Sequence, residues 1–167
     1  MPDQPTNAHE FFSNLLEKLE RNGLIHKSGA KGCTMNDIHH IQKQFGIILP
    51  EYYKQFMLCL GQTSGSFLQG DDFHIDVVAE INLWVRQLLE ESNEKYRLSS
   101  GDFVFLMHQG YEFVYFESGV GENPPVHQYV EGSGFHRNQW PSLSNFLTES
   151  AKNHCNFFTE AGTRTGY

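Results

Sequence analysis

Phe103-Val104-Phe105-Leu106-Met107-His108-Gln109-Gly110-Tyr111-Glu112-Phe113-Val114-Tyr115-Phe116 is the stretch that decides how this chain folds. Residues 103–107 and 111–117 are two runs of strand formers, and His108-Gln109-Gly110 between them is a hairpin signal. In the second run Tyr111, Phe113 and Tyr115 alternate with Glu112, Val114 and Phe116, so both faces are largely apolar. Such a strand belongs in the middle of a sheet whose two faces are both covered.

Working outward, Gly119 to Pro125 reads as a turn-rich loop, Val126–Glu131 as a third strand, and Ser142 as the cap of a last helix carrying Leu143, Phe146, Leu147 and Ala151. Upstream, residues 77–96 read as a helix with Val77, Ile81, Val85 and Leu88 on one stripe and Trp84 beside it. Gly61 to Gly70 is polar and Gly-rich, with a short strand expected around Phe67. Pro50 is expected at the first position of a helix that buries Tyr52, Tyr53, Phe56, Met57 and Leu60 and ends at Gly61. Ile47-Ile48-Leu49 is a short apolar connector before it. Thr34 followed by Asp37 resembles a capping arrangement, opening a helix with Ile38, Ile41 and Phe45 that closes at Gly46. Residues 23–33 read as loop and residues 8–21 as the first helix, with Phe11, Phe12, Leu15, Leu16 and Leu19 at helical spacing. Helices, then a meander, then a helix make an α+β fold with an antiparallel sheet packed by helices. The helices over 51–60 and 142–151, both striped with large apolar groups, are the expected cover of the hairpin.

The whole chain of 167 residues reads as one domain. Aromatics make up 14 %, enough to build a core. The longest apolar runs are five residues, Phe56–Leu60 and Phe103–Met107, against the roughly 20 that a membrane helix needs. Three widely spaced Cys (Cys33, Cys59, Cys155) and no visible leader peptide point to a cytoplasmic protein with reduced thiols.

Signatures of catalysis and of cofactors fail on spacing. Gly61-Gln62-Thr63-Ser64-Gly65 holds its Ser one place late for a nucleophile elbow. Gly119-x-Gly121-x-x-Pro124 and Gly132-x-Gly134-x-x-Arg137 both lack the last Gly of a dinucleotide fingerprint. His39 and His40 are neighbours on a helix, as are His154 and Cys155, so neither pair can hold one ion together. Asp71, Asp72 and Asp76 do not have the spacing of a calcium loop. No catalytic residue, metal or cofactor is therefore expected, and a small hydrolase built on the Asp71–His74 region is only a remote alternative.

Charge is informative once located. Residues 1–70 carry six acids and six bases; residues 71–131 carry twelve acids against Arg86, Lys95 and Arg97, a net −9. Such a segment repels nucleic acid and attracts a basic partner.

Gly46-Ile47-Ile48-Leu49-Pro50-Glu51-Tyr52-Tyr53-Lys54-Gln55-Phe56 resembles the entry segment of the SUKH superfamily, where Leu-Pro opens a helix after a short connector. The Phe103–Phe116 hairpin and the following Asn123-Pro124-Pro125-Val126 to Glu131-Gly132 look like the hairpin and next strand of the same family. Leu143-Ser144-Asn145-Phe146-Leu147 is similar to its final helix. The resemblance spans about residues 34–150 in the right order. One departure is Gly61-Gln62-Thr63-Ser64-Gly65, which stands where the family usually has an Asn-Gly-Gly-like turn. The resemblance implies an α+β binding module without catalytic residues. Bacterial members are mostly immunity proteins that neutralise toxins, many of them nucleases, and fungal relatives regulate cell-wall synthesis.

Together with the acidic segment, this resemblance predicts a protein partner, a basic toxin domain, with no direct nucleic acid and no membrane. The alternative is a regulator or scaffold without a toxin. The partner-binding candidates are Asp71, Asp72, Asp76, Glu117, Glu122 and Glu131, taken for their charge and their loop or strand-end position. The sequence also predicts that Phe113→Ala costs ~3–5 kcal/mol in a denaturant melt, whereas Glu122→Ala costs no more than about 0.5 kcal/mol.

Overall fold

Local signals place most of the helices. The computed structural model describes residues 7–26 and 28–164, with side chains to residue 155. Helix α1 (Ala8–Arg21) is capped by Asn7, whose side chain accepts from the Glu10 amide at 2.9 Å, and buries Phe11, Phe12, Leu15 and Leu19. Helix α2 (Met35–Phe45) opens on a full capping box: Asp37 N donates to Thr34 Oγ1 at 3.2 Å, and Thr34 N to Asp37 Oδ2 at 2.8 Å. Gly46, at φ 64°, closes it in the left-handed region.

Helix α3 (Glu51–Leu60) starts one residue later than expected, with Pro50 as its N-cap. Proline offers no side-chain cap, so the free amides of the first turn need another acceptor. Glu122, 71 positions away, supplies it: its carboxylate accepts from Glu51 N at 2.7 Å and its carbonyl from Tyr52 N at 3.0 Å. The near-zero cost expected for removing Glu122 is thereby corrected. Its loss removes a helix cap, worth about 0.5–2 kcal/mol.

The sheet is a five-stranded antiparallel meander in sequential order. Its strands are β3 (Asp71–Asp72), β4 (Asp102–His108), β5 (Glu112–Glu117), β6 (Val126–Val130) and β7 (Gly134–Trp140). The hairpin expected from the sequence is there and β5 is central. Its turn is made by Gln109 and Gly110, at φ 48° and 82°, with Tyr111 N donating back to His108 O at 3.3 Å. A separate two-stranded ribbon joins β1 (Ala30–Lys31) to β2 (Thr63–Ser64), in segments expected to be loop. Phe67 lies in a turn instead of a strand, though its side chain is fully buried.

A register shift between Val104 and Leu106 places Phe105 and Leu106 in the same core. That core joins them to Val114, Phe116 and the buried stripes of α1, α2, α3 and α5 (Leu143–Arg164). Tyr53 sits inside it within 5.3–6.1 Å of the rings of Phe103, Phe105 and Phe116. On the other face Val104, Met107, Phe113, Tyr115 and Tyr129 pack under α4 (Val78–Glu91) through Ile81, Val85 and Leu89. The helices over 51–60 and 142–151 thus cover one face, and α4, expected as a helix but not as a cover of the hairpin, covers the other. Leu89 takes the buried place expected of Leu88, and the helix ends at Glu91.

Polar Asn82 is the centre of that second interface. It is fully buried; its Nδ2 donates to Val104 O at 2.8 Å and its Oδ1 accepts from Val104 N at 2.8 Å. Strand β3 pairs only with Met107 and His108 of β4, so nothing in β3 faces Val104. The amide of Asn82 takes that place. One turn on, Arg86 donates to the carbonyls of Leu98, Ser99 and Asp102 at 3.0–3.2 Å. Asn82→Ala strands two buried backbone groups, at about 1–3 kcal/mol each, and a urea melt is expected to show a loss in the range of both. A variant that melts like the wild type would remove Asn82 from the core.

Candidate functional site

The six acidic candidates do not form one cluster. Asp71, with its side chain 14 % exposed, meets His108 Nδ1 at 2.5 Å. Within the Asp71–His74 region, considered only as a remote alternative for catalysis, Asp71 thus has its imidazole partner in His108. Burial pushes the Asp71 carboxyl above its ordinary range, and His108 pulls it partly back. This pair lines a cleft of about 260 Å³ between the sheet and α5, beside Leu106, Phe146 and His154. At the far end of β5, Glu117 lies 3.9 Å from Arg137. Glu122 caps α3. Glu131 is exposed beside the hairpin turn, its amide donating to Tyr111 O at 2.9 Å.

Asp72 and Asp76 are exposed where the chain enters α4. Asp72 shares a groove with Glu80, Trp84 and Gly110. Beyond it, the outer face of α4 carries Glu80, Leu83, Trp84, Gln87, Glu90 and Glu91, with Leu83 59 % and Trp84 44 % exposed. Arg86 is the only base of the helix, and its guanidinium is turned onto backbone carbonyls. The result is two exposed apolar side chains bordered by carboxylates. Leu83 and Trp84 were the missed members of this surface. Their signal was available as large apolar residues off the buried stripe of an acidic helix.

Ser64 and His74 do meet, with Oγ 3.1 Å from Nε2. The Ser64 hydroxyl donates to Phe67 O at 3.1 Å, so the imidazole must donate to Ser64, the reverse of a base activating a nucleophile. Among the described residues no three His, Cys, Asp or Glu side chains converge on a point that could hold a metal ion. Nor is any helix among them long and apolar enough to cross a membrane.

Burial lowers the proton affinity of three imidazoles, His74, His127 and His154, below the ordinary 6.5. His127 is held neutral by geometry as well, since its Nδ1 accepts from Asn138 N at 2.8 Å. The folded state thus resists a proton that the unfolded chain accepts. Stability is whole above 6.5 and falls as pH drops through the depressed folded values. The raised Asp71 carboxyl acts oppositely, gaining stability only nearer the carboxylate range. The melting temperature should be level from pH 8 to about 7 and decline toward about 5; a level profile throughout would contradict the buried neutral imidazoles.

A family model described as SMI1-KNR4 cell-wall, SUKH_6, matches residues 35–147. The matched span runs from the first residue of α2 into α5 and contains the whole five-stranded sheet and α4. No curated protein matches the chain. With more than half of its length inside the match and the expected α+β fold, the chain belongs to the SUKH superfamily.

Proposed function

We propose that this protein is a cytoplasmic, non-catalytic immunity protein that neutralises a basic toxin domain by docking it on the outer face of α4. The observation that carries this reading is the pairing of exposed Leu83 and Trp84 with Glu80, Glu90, Glu91 and nearby Asp76, and no free base on the helix. Domains that act on nucleic acid must bind phosphate and so present basic surfaces. An acidic surface of fixed shape steers such a domain to it and occludes its site. A partly exposed tryptophan at the centre is the usual form of an energetic anchor.

The family's cell-wall description favours a second reading, a regulator without a toxin. The neighbouring gene separates the two: a toxin gene beside this one supports immunity, a solitary gene supports regulation.

Co-expression with the protein of the adjacent gene tests the first reading. Protection and a stable complex are expected for the wild type. Trp84→Ala should weaken the complex about thirtyfold, the scale of a hot-spot residue. Glu80→Lys with Glu91→Lys should slow association and flatten its salt dependence. Asp71→Asn, on the other side of the sheet, should leave the complex intact. Full protection by the Lys variant would contradict docking on α4.

A further inference from the structure

At the start of α4 the surface deepens into a groove of about 310 Å³ lined by Asp72, Val77, Glu80, Ile81, Trp84, Met107 and Gly110. Its floor is apolar: Ile81 and Met107 are buried and Val77 is half-buried. Two exposed carboxylates, Asp72 and Glu80, stand among its lining residues, and neither takes part in an ion pair among the described residues. Among the described residues no lysine or arginine lines it. One wall is the indole of Trp84. A Cβ on Gly110 would stand 3.5 Å from Trp84 Cη2, so the ring edge lies against the hairpin turn. Gly110 also needs its left-handed φ of 82°, so the turn and the wall it supports both depend on glycine there.

An apolar floor, an aromatic wall and two unpaired carboxylates describe the complement of a long side chain with an apolar stem and a cationic end. We propose that this groove is the anchor site for an arginine of the partner, its stem on Ile81 and Met107 and its guanidinium between Trp84 and the carboxylates of Asp72 and Glu80. Arginine fits better than lysine. Its planar, weakly hydrated head stacks on an indole face and meets a carboxylate through two parallel N–H groups, whereas an ammonium is a strongly hydrated point charge. The positive end of the α4 dipole, which would oppose a cation here, already has Glu80 in its first turn and Asp76 just before it. This assignment rests on the reading of α4 as the docking face.

The test needs no toxin. The intact 15N-labelled protein is titrated with N-acetyl-arginine amide, with the neutral citrulline analogue and with N-acetyl-lysine amide, following the indole and backbone N–H signals. Arginine should shift the Trp84 indole and the Gly110 amide saturably. Trp140, whose indole donates to Glu149 at 2.6 Å elsewhere, should stay still. Citrulline should bind at least tenfold more weakly and lysine severalfold more weakly. Asp72→Asn with Glu80→Gln should remove the difference between arginine and citrulline while leaving the Trp140 signal in place as a check on folding. Equal binding of arginine and citrulline, or shifts that bypass Trp84, would overturn the site. Arginine binding without protection in co-expression would sink the immunity reading and keep the groove; protection without arginine binding would do the reverse.

Discussion

The bidentate hydrogen bond between the Asn82 amide and the backbone of Val104 is the constraint on which the rest of the molecule turns. A strand buried under a helix must satisfy every N–H and C=O, and β3 is too short to do so for β4. A side-chain amide on α4 offers one donor and one acceptor in the right order. Accepting it fixes the rotation of the helix. Ile81, Val85 and Leu89 then point to the sheet, and Arg86 reaches the carbonyls of the 98–102 loop. Helical periodicity sends Glu80, Trp84, Gln87 and Glu91 to the opposite side. The acidic outer surface is thus the necessary reverse of an internal contact.

The same logic explains the two-faced strands. With helices on both sides, β4 and β5 have no solvent face, so Phe113 and Tyr115 serve one core while Val114 and Phe116 serve the other. The irregularity between Val104 and Leu106 gives adjacent Phe105 and Leu106 to the larger core, under α3 and α5, and turns Met107 to the face under α4, where strict alternation would have put Leu106. Glu122 joins the ends of this layer arrangement, since a residue in the loop before β6 closes the first turn of α3.

Elements announced by local chemistry were legible in the sequence. The Thr34–Asp37 box, the Gly46 stop, the stripe of α1 and the turn at Gln109-Gly110 need no distant partner to be recognised. The Ser142 cap, which accepts from the Asn145 amide at 3.1 Å, belongs with them. What stayed hidden depends on tertiary contact. Strands β1, β2 and β3 are two-residue pairings too short to carry a pattern, and β7 is a half-exposed edge whose His136, Arg137, Asn138 and Gln139 do not read as a strand. Charge counting located the acidic segment but could not sort its members. Asp71 is committed to His108, Glu117 lies near Arg137 and Glu122 serves as a cap. Asp72, Asp76 and Glu131 remain exposed. Nothing in the sequence distinguishes an acid with a partner 71 residues away from one without.

Native-state hydrogen exchange at the Val104 amide tests the central claim most directly. If Asn82 closes the open edge of β4, this amide should exchange only through global unfolding, as slowly as the amides of central β5. Exchange through local opening, orders of magnitude faster than β5 and insensitive to low denaturant, would show that the edge is not held by Asn82 and that the orientation of α4 has another cause.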